Sequence, residues 1–357
     1  MTLADVLLVV IWVGVTAYGI FGGADFGAGF WDLLAGDATK GSRVRGFLER
    51  TIGPVWEANH VWLIFVLVYL WTAFPEPFVA IATTMYIPLT VAAIGIIFRG
   101  SAFAFRKWAA TLSRQRALGA IFAASSILTP FFLGTVAGGV ASGRVPLGNA
   151  AGHPITSWLN PTSLLGGVLA VGASAFLAAV LAIRDAVAEG SDDLADYFRI
   201  RGIYTGAVMG VVAAAGIAVL ALDAPELYDG LVSWRGIPLM IGSALGGIAA
   251  LVALVGRHYV KARIAAVAAT AAVLWGWGAG QYPYILEPAA RVDDYAASTP
   301  VLVGLLVAFI VAALLVLPAL GFLYTLTQKG LLGEAGEQNP ESTEALLRRL
   351  MANQSAD

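Results

Sequence analysis

Apolar positions in this chain gather into long unbroken runs, and the polar positions fall in short stretches between them. Each run is roughly 20 residues, which at about 1.5 Å per residue crosses the ~30 Å hydrocarbon layer of a bilayer. Nine transmembrane helices are predicted, near 5–31, 55–74, 77–98, 117–139, 162–183, 203–222, 237–256, 264–285 and 300–327. The connections are short, so no loop holds a soluble domain. The expected fold class is an all-α integral membrane protein, with a polytopic membrane domain over 1–328 and a polar tail over 329–357. The opening stretch MTLADVLLVVIWVGVTAYG has no basic n-region and no small-residue cleavage site, and reads as a retained first helix.

Charge gives the orientation. With the amino terminus outside, the inner loops and tail hold Lys40, Arg43, Arg45, Arg50, Arg99, Arg106, Lys107, Arg114, Arg116, Arg184, Arg199, Arg201, Arg257, Lys261, Arg263, Lys329, Arg348 and Arg349. Of the 21 lysines and arginines, the outer side keeps Arg144, Arg235 and Arg291 alone. Basic residues are retained on the cytoplasmic side, so the carboxyl-terminal tail is cytoplasmic, and removing any one span would scramble the alternation. A chain that is 59% hydrophobic and 12% charged, with a mean hydropathy of +0.80, fits an integral membrane protein. A net charge of −2 gives no basis for nucleic-acid binding. Cysteine is absent, which excludes disulfides, thiolate metal sites, iron–sulfur clusters and covalent c-type haem attachment.

The orientation places the few polar residues in depth. Asp25, within YGIFGGADFGAGFWD, falls at the inner end of helix one. Helix two opens with TIGPVWEANHVWLIF and sets Glu57 and His60 three apart, on one face of its first two turns. Helix three ends in IIFRG, which brings Arg99 to the same level. Two carboxylates, an imidazole and a guanidinium are thus expected to converge in one leaflet.

Each has a plainer reading. Glu57 after Gly53-Pro54 suits a helix start whatever the protein does. Arg99 alone reads as an anchor snorkelling to the headgroups, and His60 as a satisfied polar residue. Asp25 shares its face with Gly22 and Gly29, which is expected to leave a gap where a helix or water reaches the carboxylate; the row Gly19, Gly23, Gly27 is a packing face. The histidines His60, His153 and His258 form no facing pair across the bilayer, and Met85, Met209 and Met240 read as packing, so no haem is expected in this chain and no metal site either.

Four stretches carry a resemblance. IGPVWEANHVWLI at 52–64 resembles the helix-two signature of subunit II of the cytochrome bd quinol oxidases, G-P-x-W-D-G-N-x-V-W-L. FGGADFGAGF at 21–30 is similar to that family's D-G-F-D-x-G-x-G segment, IIFRGSAFAFR at 96–106 to the end of its third helix, and WGWGAGQYPYILEP at 275–288 to its eighth. The resemblance implies a haem-free subunit that pairs with a haem-bearing subunit I in the respiratory chain, in a complex that oxidises quinol and reduces oxygen to water. It also implies contact with quinone and lipids, and allows a small single-helix accessory subunit. Carried over by position, it implies a proton path through Glu57, with Asp25, His60 and Arg99 beside it, and an oxygen route near Trp62. The sequence departs from the pattern at Glu57 for aspartate, Ala58 for glycine, His60 for an acid or amide, and Gly22 for the first aspartate. Two other readings of buried acids with glycine-rich helices are a proton-coupled secondary transporter and a purely structural membrane subunit.

Overall fold

The computed structural model describes residues 2–36, 41–52, 56–106, 108 and 111–328. Helix one is three pieces in line: α1 (Leu3–Ala17), a π turn (Tyr18–Gly22) and α2 (Gly23–Leu33). A short α3 (Ser42–Ile52) is next, then α4 (Trp56–Ala73), α5 (Pro75–Thr84), α6 (Tyr86–Arg106), α7 (Leu112–Ala141) and α8 (Pro161–Ala188). The chain continues through α9 (Asp192–Asp223), α10 (Pro225–Leu231), α11 (Ile237–Val255) and α12 (Tyr259–Gln281). A two-stranded antiparallel hairpin, β1 (Tyr284–Leu286) with β2 (Ala290–Arg291), precedes α13 (Thr299–Gln328). The chain forms two compact units, Met1–Leu302 and Val303–Asp357, and the polar tail lies outside the described residues.

Among the described residues eight helices are long and apolar enough to cross a membrane, and a shorter apolar stretch, Asn59–Ala73, lies in α4. The expected third span differs: its first part is the separate helix α5, and the membrane-length helix starts at Tyr86. A turn at Met85 breaks the run, which apolar composition alone does not reveal. The expected eighth span ends at Gln281, because Tyr282 leaves helical geometry and the hairpin takes over.

Residues 41–52, expected to be loop, instead form α3. Val44, Phe47 and Leu48 recur at helical spacing and are buried in a core shared with Trp31, Leu177, Ile183 and Phe198. The opposite face is tied down by ion pairs, Arg43 with Asp193 and Arg50 with Glu189 at 3.2 Å. Exposed pairs of this kind add little stability, so the buried apolar face holds α3 in place.

Two close approaches fix helix one against its neighbours. A Cβ on Gly27 would lie 1.9 Å from the carbonyl oxygen of Ser174, so only glycine lets α2 lie this near α8. Trp31 Nε1 donates to the Ala175 carbonyl at 2.8 Å one turn further on. At the other end of the bundle, Asp223 accepts from Arg144 Nη2 at 2.6 Å, Thr162 Oγ1 at 2.6 Å and the Thr162 N–H at 3.0 Å. Asp223 thereby satisfies one of the free N–H groups that open α8.

One junction occurs twice. Phe74 (φ −138°, ψ 66°) separates α4 from α5, and Ala224 (φ −143°, ψ 63°) separates α9 from α10. Both are fully buried, both precede a proline, and both N–H groups bond the carbonyl four residues back at 2.9 Å, to Leu70 and Leu220. The residue before proline is pushed out of the α region, which explains the shared turn. The correspondence continues at equal spacing along the chain to Pro88 in α6 and Pro238 in α11.

Candidate functional site

The π turn ends at Gly22, and Asp25 sits in the first turn of α2 with 4% of its surface exposed. Asn59 of α4 donates from Nδ2 to Asp25 Oδ2 at 2.6 Å and lies 3.4 Å from the Phe21 carbonyl. Arg99 of α6 is 1% exposed. Its Nη2 donates to the backbone carbonyl of Asp25 at 2.9 Å, and its Nε to Ser126 Oγ at 3.1 Å. Ser126 donates its own proton to the Phe122 carbonyl at 2.7 Å.

Arg99 therefore does not snorkel. Arg99 lies about two turns inside α6, which runs on to Arg106, and the inward arrangement of its side chain is fully furnished. The guanidinium carbon lies 5.0 Å from the ring centroids of both Phe26 and Phe122, so two ring faces replace the water that the charge has lost. The room expected beside Asp25 is taken by neighbouring helices: Asn59 of α4 reaches the carboxylate, and a Cβ on Gly29 would lie 2.1 Å from Ser126 Oγ of α7. Glycine at 29 is what admits the serine that orients Arg99.

Of the residues singled out in the sequence, the structure brings Asp25, Arg99 and His60 together. The His60 ring is half-buried, 5.8 Å from Phe26 and 6.1 Å from Tyr18. Trp62 is half-buried on α4, edge-on to Phe65 at 6.2 Å. Glu57 lies in α4, and its side chain is outside what the structure describes. Tyr18, Asn59 and Ser126 were missed. Asn59 stood in the quoted helix-two stretch, and Ser125-Ser126 is a polar pair inside an apolar run, which was the available signal.

A second polar cluster lies on the basic side of Asp25. Asp32 is 6% exposed and meets Arg45 Nε at 2.9 Å and Arg106 Nη1 at 3.2 Å. Beside it is a cavity of about 10 Å³, room for about one water, lined by Ala28, Asp32, Arg45, Arg106 and Phe122 among others. Phe122 thus both lines the Asp32 cavity and meets the Arg99 guanidinium.

No group of three or more His, Cys, Asp or Glu among the described residues is placed to hold a metal ion. The histidines also do not fit a haem. His153 Nδ1 accepts the N–H groups of Ile155 and Thr156 in a loop, His258 precedes α12, and His60 packs among rings in α4.

Comparison with known proteins decides the family. The sequence matches the family Cytochrome bd terminal oxidase subunit II over residues 3–327. The chain belongs to this family. It is similar to the structure of bd oxidase from Geobacillus thermodenitrificans, with a TM-score of 0.72 at 26% identity over 91% of this chain and 98% of that one. It is 31% identical to cytochrome bd ubiquinol oxidase subunit 2 of Bacillus subtilis (strain 168) over 166 residues, spanning 46% of this chain and 47% of that relative. A second Bacillus subtilis (strain 168) protein, assigned by name to a cytochrome bd menaquinol oxidase as its subunit II, is 25% identical over 334 residues, 90% of this chain and 94% of the relative. As a bd subunit II with membrane-length helices, the chain is a multi-pass bacterial membrane protein and part of a terminal oxidase.

Proposed function

We propose that this chain is the haem-free subunit of a quinol-oxidising, oxygen-reducing bd complex, and that it leads protons from the cytoplasm toward a haem-bearing partner. The observation that carries the reading is the Asp25 site: a carboxylate buried in a membrane span and held by the Asn59 amide, with a buried arginine bonded to the backbone carbonyl of the same residue. An ionisable group inside a span is costly, and its usual use is an ion or proton pathway. The basic-side location of the site, with Arg144, Arg235 and Arg291 alone on the other face, supports an amino terminus outside, α4 as a ninth span, and proton entry from within.

Haem, when bound in the partner, supplies oxygen reduction and electron transfer. This chain's residues do the rest. Glu57, at the mouth of α4, takes up a proton; Asp25 passes it on, with Asn59 fixing the carboxylate and Arg99 fixing the backbone beneath it; His60 lies alongside. Trp62 borders an apolar route for oxygen. The names of the two Bacillus relatives support a ubiquinol or a menaquinol as the reductant. Quinone, lipids and a small single-helix accessory subunit complete the expected surroundings.

The test is co-purification of this chain with its partner and comparison of wild type with Asp25→Asn. The expected result is full haem content with most of the quinol-driven oxygen consumption per haem lost. An Asp25→Asn complex that turns over like wild type removes Asp25 from the proton path.

A further inference from the structure

Tyr18 is the first residue of the π turn, on the side of Asp25 away from the basic face, and its hydroxyl is buried. Among the described residues that hydroxyl has no hydrogen-bond partner. Its ring forms a three-ring cluster with His60, centroid 6.1 Å away, and Phe26, 6.4 Å away and edge-on, which are themselves 5.8 Å apart. Phe26 joins it to the site, since the Phe26 ring lies 5.0 Å from the Arg99 guanidinium carbon.

The backbone is built to put it there. A π turn carries one residue more than an α turn, which rotates the face of α1 against that of α2, and such turns gather at functional sites. The ring then folds over Gly22, where a Cβ would lie 2.7 Å from Tyr18 Cε2. Glycine at 22 leaves that room, so the ring covers the segment leading to Asp25. A buried hydroxyl is normally bonded, and in polar interiors its partner is commonly an ordered water. Phenylalanine would pack against His60 and Phe26 as well as tyrosine does, so packing alone does not account for the oxygen.

We propose that Tyr18 is a further member of the proton site, a positioning residue whose hydroxyl holds an internal water beside Asp25. The water accepts the proton that Asp25 releases and gives up another of its own protons on the far side, so its composition is unchanged after each transfer. Tyr18 keeps its own proton throughout and orients the water. Its backbone lies seven residues further from the basic side than that of Asp25 while its ring reaches back over Gly22, which makes it the next station for a proton arriving from the basic side. The inference rests on the reading of Asp25 as a proton carrier.

The experiment is the single-turnover reaction of the fully reduced complex with oxygen, in H2O and in D2O, for wild type, Tyr18→Phe, Gly22→Ala and Asp25→Asn. Tyr18→Phe should keep its haem and slow the proton-coupled phase on the order of tenfold, less than the hundredfold or more of a lost acid or base, with a raised solvent isotope effect. Wild-type rates in Tyr18→Phe beside a slow Asp25→Asn overturn the Tyr18 inference alone. So does a slowed Tyr18→Phe whose isotope effect is unchanged, which marks a packing role. Wild-type rates in Asp25→Asn overturn the underlying reading instead. Where Tyr18→Phe fails to assemble, Gly22→Ala decides by the same two criteria, because its Cβ displaces the ring and leaves the hydroxyl on the chain.

Discussion

Arg99 binds Asp25 through the backbone carbonyl, at 2.9 Å, and leaves the carboxylate to Asn59. The cation thus fixes where Asp25 sits without occupying the oxygens that would exchange a proton. A guanidinium suits this divided task, since its separate N–H donors reach Ser126 and the carbonyl while its flat face meets two rings.

Removing the arginine should therefore cost more than removing the pair. Arg99→Ala leaves the buried Asp25 carbonyl without its donor and takes the cation away from beside the carboxylate, a loss of about 1–3 kcal/mol. Asp25→Ala together with Arg99→Ala should recover part of that. The check is thermal inactivation and haem yield of the purified complexes; a double variant as unstable as Arg99→Ala alone would mean the two charges are not coupled.

Glu57 is separated from a mere helix-start role by substitution. Glutamine keeps the size but cannot ionise, so a dipole role predicts a cost of only about 0.3–1 kcal/mol with turnover intact. As the entry acid, Glu57→Gln should assemble with full haem and lose about a hundredfold in oxygen reduction, and Glu57→Asp should keep substantial activity. Oxygen consumption per haem in proteoliposomes reads the difference.

Trp62 should act on oxygen and not on protons. An apolar gas needs only a dry passage, so Trp62→Ala should change the apparent oxygen affinity severalfold while quinol oxidation at saturating oxygen stays near wild type. An oxygen titration of both enzymes checks it, and an unchanged affinity places the route elsewhere.

Glu287, in the hairpin loop, offers a pH signature away from the site. Burial, and then the nearby Glu226 carboxylate, push its carboxyl up to about 7 from an ordinary 4.5. Between those values the folded chain holds a proton that the unfolded chain has released, so stability falls as pH rises through the window and stays lowest above it. Glu287→Gln should flatten that dependence and raise the melting temperature above pH ~7. Thermal scans from about pH 5 to pH 8 on both proteins test the sign.

Eight membrane-length helices among the described residues were legible because a run of apolar residues long enough to cross a bilayer has few other uses. What composition hid were the changes of backbone within or beside a run: the turn at Met85, the hairpin after Gln281, and α3, whose Arg43, Arg45, Glu49 and Arg50 mask the helical spacing of Val44, Phe47 and Leu48. At the site, the convergence of Asp25, His60 and Arg99 came from depth alone. The burial of Arg99 did not, because a basic residue near a helix end looks the same in sequence whether it reaches for headgroups or for a ring. Tyr18 was hidden by the π turn, which shifts the phase of helix one by a residue that no local pattern announces.

The twice-used junction at Phe74 and Ala224 means that the chain already contains its own unpolarised counterpart. At the spacing that relates Leu70 to Leu220 and Pro88 to Pro238, Arg99 corresponds to Ala249, Asn59 to Met209 and Asp25 to Ala175. Where one half carries guanidinium, amide and carboxylate, the other carries methyl groups and a thioether, and α11 and α12 still pair in the same compact unit. Helices joined in this way therefore ask for no charge of their own. The ionisable side chains around Asp25 are thus confined to one half, whose first helix carries a π turn where α8 runs unbroken.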